Sequence, residues 1–252
     1  ILPEHVEAAR EVLIERRDTH LDSLVERLRE ERVRRIVEPI LVGELLPRDV
    51  YSDDVAYCQD LGLVRSGPSG LEIANPIYRE VIPRALAWVL QQTLPIPRAP
   101  YIAADGTLRF EKLIGDFLTF WKEHGEFLLK GENYPEAAPH LVLMAYLQRV
   151  VNAGGVIERE YAVGMGRMDL LIRWRHPGGE QREAIEIKVW RTNRPDPLLQ
   201  GLAQLSGYLE RLGLDEGTLV IFDRGQQAPP LPDRASLTHI EHAGRPIRLL
   251  RL

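Results

Sequence analysis

Apolar residues in the first part of the chain follow the spacing of an amphipathic helix. Between Leu21 and Leu41 they recur at intervals of three and four, and acids and arginines fill the positions between them. Charges of opposite sign at such spacing are typical of a solvated helix face. The pattern predicts helix from Ile1 to about Gly43.

A hairpin is predicted after a second, shorter helix. This helix covers Val55–Leu61, with an Asp-Asp pair as its N-cap and a glycine at its end. Two short apolar segments, Leu63-Val64 and Leu71–Ala74, then flank a Gly-Pro turn, and a further helix is predicted from Ile77 to Gln92. Helices followed by such a hairpin predict a helical winged helix-turn-helix domain over residues 1–95.

The charge of this N-terminal region disfavours DNA recognition. Its candidate recognition helix carries Asp53, Asp54 and Asp60 and no Lys or Arg, and residues 1–95 hold 12 basic and 17 acidic residues. DNA phosphates would repel an acidic helix in the major groove. We therefore expect this domain to pack against or bind another protein region.

A proline-rich segment marks the next boundary. Pro95, Pro97 and Pro100 break the helical pattern. The stretch from Phe110 to Leu129 then reads as an amphipathic helix whose aromatic residues have core spacing. Residues 96–135 are accordingly predicted to be a linker and a connecting helix.

The remaining residues, 136–252, combine helical periods with strand-like runs, which predicts an α/β domain with a mixed sheet. Its order is helix, three strands, helix, strand, and a last strand closes the chain. The continuous apolar run of the fourth strand is typical of a central buried strand. The predicted elements are His140–Asn152, Val156–Val163, Met168–Trp174, Ala184–Trp190, Pro197–Leu212, Thr218–Phe222 and Ile247–Leu252.

Alternation along two of these strands brings three charged residues to one face. In EAIEIKVW, Glu186 and Lys188 point to the side opposite the Ile and Val residues. In the preceding strand, Asp169 lies opposite its apolar neighbours in the same way. A hairpin between the strands can therefore place Asp169, Glu186 and Lys188 together, although alternating charges are also ordinary on an exposed strand.

Such a group has a definite chemistry. Two nearby carboxylates repel each other unless a cation lies between them, and hard oxygen ligands favour Mg²⁺ or Mn²⁺. A neighbouring lysine can orient a water and offset charge on a phosphate. Lys188 is one of only four lysines among 32 basic residues, so arginine is this chain's ordinary cation. The residues favour metal-dependent phosphodiester chemistry.

Composition restricts the setting. A net charge of −5 argues against a chain coated in nucleic acid, although it says nothing about local patches. The single cysteine, Cys58, excludes an internal disulfide framework, and no apolar run is long enough to cross a bilayer. These features predict a cytoplasmic protein without a membrane partner.

Arginines are frequent around the candidate site. Between Gly164 and Arg194 there are seven positive residues against four acids, despite the acidic whole. We expect this local excess to attract nucleic acid. The six arginines are Arg167, Arg173, Arg175, Arg182, Arg191 and Arg194.

The sequence GMGRMD ending at Asp169, followed by Glu186-Ile187-Lys188, resembles the motif of the PD-(D/E)xK nuclease superfamily. Gln204 and Tyr208 on the next helix resemble the QxxxY element of some members. The resemblance covers about residues 136–224 and implies a restriction-endonuclease-like α-β-β-β-α-β fold. It also implies that Asp169, Glu186 and the Ile187 carbonyl bind the metal, that Lys188 is catalytic, and that Gln204 and Tyr208 line the site.

The motif departs from the family pattern in two places. Met168 stands where the motif name has proline, and the first helix of the domain supplies no acid. Gln148 is the polar candidate on that helix, and Arg167 precedes the first acidic residue of the motif. Both are therefore candidates for lining the site.

The whole arrangement also resembles the C-terminal half of bacterial AAA-like ATPases, in which a winged helix and a nuclease-like domain follow a P-loop domain. No GxxxxGK[ST] motif occurs in this sequence, and the chain does not begin with Met. We expect an ATPase region to precede it in the full-length protein. The alternative function is then an inactive nuclease-like fold that binds a substrate or partner for such an ATPase.

Overall fold

The computed structural model describes most of the second half of the chain and parts of the first. Two compact units emerge, one from Ile1–Leu94 with Leu129–Ala145 and one from Pro95–Leu128 with Tyr146–Leu252. The described residues are 23–24, 26–41, 53–67, 70–75, 77–79, 81–83, 85–86, 101–128, 138–151, 155–163, 166–192, 194–225 and 228–252.

In the described part of the first unit, two helices precede a hairpin, and residues 77–79, 81–83 and 85–86 are also helical. Helix α1 is Glu31–Leu41 and helix α2 is Asp53–Asp60, while strands β1 (Val64–Gly67) and β2 (Gly70–Ile73) pair antiparallel. The short helix and the hairpin of the sequence prediction are confirmed. Their assignment to a winged helix stays a prediction, and the proposed linker prolines lie outside the described residues.

The prediction of one continuous helix from Ile1 to about Gly43 is wrong within the described part, because a turn at residues 28–30 precedes α1. Backbone N–H groups there bond three residues back, from Arg29 to Glu26 and from Glu30 to Arg27. The Tyr57 hydroxyl of α2 donates a 2.9 Å hydrogen bond to the Glu30 carboxylate. This hydrogen bond joins residues that are far apart in the sequence and stabilises the turn. The local pattern of apolar residues does not predict such a contact.

Arginines of α1 pair with acids in the same unit. Arg32 and Arg35 lie 3.5 and 3.3 Å from the Asp54 carboxylate, and Arg35 also reaches Glu31. Arg65 similarly pairs with Glu72 across the hairpin. These cations are therefore engaged by neighbouring carboxylates.

The second unit is built on a six-stranded mixed sheet in the order β3-β4-β5-β6-β8-β7. The first three strands form an antiparallel meander, β5, β6 and β8 run parallel, and β7 returns antiparallel to β8. The strands are β3 Gly155–Val163, β4 Gly166–His176, β5 Gly179–Trp190, β6 Gly217–Asp223, β7 Ser236–His242 and β8 Arg245–Arg251.

Helices connect and cover these strands. Helix α5 is the crossover between the parallel strands β5 and β6, as parallel pairing requires. The predicted mixed α/β class and the helix, three strands, helix, strand order are confirmed. The helices of this unit are α3 Phe110–Leu128, α5 Leu198–Leu212 and the short α6 Leu231–Arg234, while α4, Ala138–Val151, is divided between the two units.

The sheet buries both faces. On the α5 side, leucines of the helix pack onto β6 and β8, whereas on the other side Trp121 of α3 lies 4.9 Å from the Phe222 ring. Central strand β6 is consequently buried along nearly its whole length. The cluster on the α5 side comprises Leu171, Ala184, Leu202, Leu205, Tyr208, Leu209, Leu219, Ile221, Ile247 and Leu249.

None of the helices in the described ranges is long and apolar enough to cross a membrane. Strand β7 was not predicted from sequence. It lies at the edge of the sheet with most side chains at least partly exposed, so its residues lack a continuous apolar run.

A buried arginine holds several carboxylates on the α3 side of the sheet. Arg248 is 8% exposed and bonds Glu111 at 2.7 Å, Glu183 at 3.4 Å, and Glu216. Burial raises the pKa of Glu183 despite the opposing charge of Arg248. The cluster thus depends on one cation for charge balance.

We expect Arg248→Leu to destabilise the protein by about 3–5 kcal/mol, because it leaves Glu183 buried without its cation. Urea unfolding at pH 7 measures this loss, and the loss should shrink near pH 5, where a carboxyl with a raised pKa takes up a proton more readily. Arg175→Leu, at an exposed position of β4, is the matched control. Equal effects of the two substitutions would contradict the assignment.

Candidate active site where two strands diverge

Strands β4 and β5 pair along only part of their length. Their ladder runs from the turn at His176 and Gly179 to the pair Leu170 and Ile185. Beyond that pair, β4 continues beside β3, while Glu186–Trp190 of β5 pairs with β6. A gap therefore opens in the sheet beside Asp169 and Glu186.

Asp169 bridges this gap. Its Oδ2 accepts a 2.7 Å hydrogen bond from the Ile187 N–H, in place of a backbone carbonyl of β4. Because the N–H and carbonyl of one strand residue point to the same edge, the Ile187 carbonyl also faces the gap. Asp169 and this carbonyl are thus brought to one place by the predicted hairpin.

Glu186 and Lys188 lie on the sheet face covered by α5. Glu186 is only 2% exposed, and the Lys188 Nζ donates a 2.5 Å hydrogen bond to its Oε1. The second oxygen, Oε2, is buried and has no hydrogen-bond partner among the residues that the structure describes. A solvated strand face would not bury a carboxylate in this way.

The electrostatics of Glu186 reflect this burial. Desolvation, and then the nearby Asp169 charge, raise the pKa of Glu186 to about 8, although Lys188 opposes the shift. Without a further cation, this carboxyl therefore stays protonated to a higher pH than an ordinary glutamate does. One lysine does not compensate for two carboxylates in this buried position.

Close packing of α5 on β5 depends on a glycine. A Cβ at Gly201 would lie 2.7 Å from Leu219 Cδ1 and 3.4 Å from Lys188 Cγ. The helix therefore passes directly over the stem of Lys188. Any larger side chain at this position would have to displace Leu219 or the lysine.

The same side of α5 carries the two polar residues of the predicted QxxxY element. Gln204 follows Gly201 by about one turn and is half-buried, and its Oε1 is buried without a hydrogen-bond partner within the described ranges. Tyr208 is 6% exposed and belongs to the hydrophobic cluster between helix and sheet. Both face the sheet, and their contact with a substrate stays a prediction.

Two other predicted lining residues are less closely placed. Gln148 is half-buried near the C-terminal end of α4. Arg167 lies on β4 opposite Ala162 of β3, two residues before Asp169. Its side chain lies outside the described residues, so its part in the site stays a prediction.

The arginines near the motif form two groups. Arg173, Arg175 and Arg182 lie toward the β4–β5 turn, four or more residues from the gap. Arg173 bonds Glu158 and Glu180, and Arg182 donates to the Leu212 carbonyl. Arg173 and Arg182 are therefore engaged near the turn and away from the gap.

The second group follows the end of β5 and includes residues that sequence reasoning missed. Arg191 and Arg194 come directly after this strand, Arg224 follows β6, and Arg251 ends β8. Because the three strands are parallel, their carboxyl ends lie at one edge of the sheet. The sequence does show an arginine at or just after the end of each of these strands. That pattern predicts a cluster of arginines only when the order of the strands in the sheet is known.

The donor atoms at the gap fit a hard divalent cation. Asp169, Glu186 and the Ile187 carbonyl offer oxygen ligands, and a cation would satisfy the buried Glu186 Oε2, which has no hydrogen-bond partner in the described part of the chain. Across the described ranges, no group of three or more His, Cys, Asp or Glu side chains could hold a metal. Two carboxylates suit Mg²⁺, which usually keeps several waters.

Comparisons with protein-family models, with curated proteins and with solved structures find no match to this chain. Function must therefore be inferred from the chemistry of the site itself.

Proposed function

We propose that the second unit is a Mg²⁺- or Mn²⁺-dependent nuclease that hydrolyses phosphodiester bonds of nucleic acid, with DNA as the favoured substrate. One observation carries the proposal: a buried Glu186 carboxylate has an unpartnered oxygen beside Asp169 and Lys188. An ordinary structural ion pair has no reason to retain a second, uncompensated carboxylate.

The metal would be held by Asp169, Glu186 and the Ile187 carbonyl. When bound, such an ion acts as a Lewis acid toward a phosphate oxygen and lowers the pKa of a bound water. The hydrogen bond from Ile187 N–H to Asp169 fixes one ligand before any ion arrives. This preorganisation lowers the cost of assembling the site.

Lys188 is the catalytic residue of the proposal. Its side chain is 18% exposed, so the ammonium group is partly shielded yet reachable from solvent. There it can orient the attacking water and stabilise negative charge that develops on the phosphate. Helix α5 covers the stem of Lys188 at Gly201 and fixes its direction.

The fold of the proposal is restriction-endonuclease-like, preceded by a winged helix. The antiparallel meander followed by a parallel strand after α5 supports the first part, and the hairpin after α2 supports the second. An ATPase region in the full-length protein would be a further partner.

A second function is favoured by one contact. Lys188 and Glu186 already pair at 2.5 Å, which a non-catalytic fold could keep as a structural link. In that case the unit binds a partner through the same surface without holding a metal. Metal binding separates the two functions.

Calorimetric titration with Mn²⁺ tests the proposal. We expect the wild type to bind the ion and Asp169→Asn to bind it at least about 10-fold more weakly, because the amide lacks the ligand charge. Asp215→Asn, at an exposed position of the same unit, should bind as the wild type does. We also expect the wild type to cleave DNA in the presence of Mn²⁺ and to lose this activity when chelator is added.

Absence of Mn²⁺ binding by the wild type would contradict the nuclease assignment and favour the partner-binding function. Equal binding by wild type and Asp169→Asn would place the metal elsewhere. Circular dichroism of each variant establishes that the proteins compared are folded.

A further inference from the structure

Four arginines converge at the carboxyl ends of the parallel strands, beyond the catalytic group. We call Arg191, Arg194, Arg224 and Arg251 the arginine rim. Trp190 and Asp223 are register partners at the ends of β5 and β6, and Arg251 pairs in register with Ile221 on β8. The rim thus joins three strand ends and the turn after β5.

Trp190, at the end of β5, contacts three of the four rim residues. Its indole N–H donates a 2.9 Å hydrogen bond to the Arg194 carbonyl, and its own carbonyl accepts one of 2.7 Å from the Arg224 N–H. The Arg251 guanidinium lies 6.0 Å from the centre of its ring. These contacts fix the backbone from which the arginine side chains extend.

The rim carries a local positive charge on an acidic protein. It holds four arginines, whereas the acids between the end of β5 and Asp196 and at the end of β6 are Asp196 and Asp223. Asp196 is engaged by Arg251 at 2.7 Å, and Asp223 accepts from the Gly225 N–H. The remaining excess is positive, in a chain whose net charge is −5.

Two rim arginines differ in their surroundings. Arg194 is exposed, whereas Nη1 of the half-buried Arg224 is itself buried and has no hydrogen-bond partner in the described part of the chain. At the opposite end of β4, by contrast, Arg173 is held by two glutamates. Within the described residues, the rim therefore presents an exposed cation, Arg194, near the site.

The rim is close enough to act on the same strand of nucleic acid. Trp190 follows Lys188 by two residues on the same face, which is about 7 Å along an extended strand. We propose that the arginine rim binds the phosphates of a nucleic-acid strand and directs the neighbouring phosphodiester to Lys188. This assignment rests on the proposed function for its substrate class.

Oligonucleotide binding without divalent metal tests the rim independently of cleavage. The probe is a fluorescein-labelled single DNA strand, longer than the ~4–16 nucleotides that one single-strand-binding domain covers. Its fluorescence anisotropy is measured in the presence of chelator at several salt concentrations. We expect the double substitution Arg194→Gln/Arg224→Gln to weaken binding by about 10-fold. It should also reduce the slope of log K against log salt concentration by about one to two. Arg194→Lys/Arg224→Lys should retain most of the affinity.

The matched control is Arg109→Gln/Arg175→Gln, which removes the same charge from two other exposed positions of this unit. Wild-type affinity in this control, with a loss in the rim variant, supports the rim. Equal losses in both, or none in either, overturn it, and so does a wild type that does not bind the strand.

Failure of the rim and failure of the nuclease are distinguishable. If the wild type cleaves and the rim variant binds and cleaves normally, the rim is wrong and the nuclease stands. If the rim variant loses binding while the wild type neither binds Mn²⁺ nor cleaves, the rim stands as a nucleic-acid surface and the nuclease is wrong.

Discussion

Replacing Lys188 with methionine should reduce metal-dependent DNA cleavage by about 10²–10⁴-fold, the usual contribution of a positioned acid-base or charge-stabilising group. Methionine keeps the length of the side chain beneath Gly201 but removes the ammonium group that bonds Glu186. The loss should appear in kcat, since in the proposed function the lysine acts on the reacting phosphate. Binding of the labelled DNA strand in chelator should change little.

Initial cleavage rates in Mn²⁺ measure this effect, and Lys122→Met, at an exposed position of α3, is the control. Lys188→Arg tests charge against chemistry, because a guanidinium stays protonated and cannot exchange a proton. Robust cleavage by a folded Lys188→Met protein would contradict the assignment of Lys188 as the catalytic residue. Cleavage by the arginine variant alone would show that charge is sufficient.

Glu186→Gln should make the metal-free protein more stable at neutral and alkaline pH while abolishing cleavage. Burial and Asp169 raise the pKa of Glu186 from 4.5 to about 8, so between these values the folded protein holds a proton that the unfolded chain releases. Stability is therefore fully present below the unfolded pKa and lost as pH rises through the folded pKa. Glutamine does not titrate and avoids that loss.

The expected gain at pH 8 in chelator is about 2–4 kcal/mol, or roughly 5–10 °C in Tm for a protein of this size. Near pH 4 the two proteins should differ little, because the carboxyl is protonated in both states. Thermal unfolding across this pH range measures the difference, and Glu210→Gln on the exposed side of α5 is the control. A Glu186→Gln protein that is less stable at pH 8 would show that Lys188 keeps the carboxylate ionised.

The convergence of the catalytic group was predictable because it depends on local rules. Alternation places Glu186 and Lys188 on one side of β5, and a tight turn after His176 sets the register that brings Asp169 of β4 beside them. The period of α5 likewise predicted its sheet-facing leucines, with Leu202, Leu205 and Leu209 buried.

What the sequence did not reveal depends on pairing between distant segments. Arg224 and Arg251 reach the rim only through the parallel ladder of β5, β6 and β8. Glu183 shares the apolar face of Ile185 and Ile187, and the cation that balances its charge there, Arg248, is 65 residues away. No local pattern encodes such partners, since charge alone does not say which strands become neighbours.

The end of the β4–β5 ladder has a mechanical consequence. In a continuous ladder, backbone hydrogen bonds fix the spacing between side chains on adjacent strands. Past Leu170 and Ile185 that constraint ends, and the Ile187–Asp169 hydrogen bond links the strands through a side chain instead. The cross-strand link therefore passes through the same carboxylate that would bind the metal, so a change in the spacing of the two strands at this point would act directly on the proposed ligand.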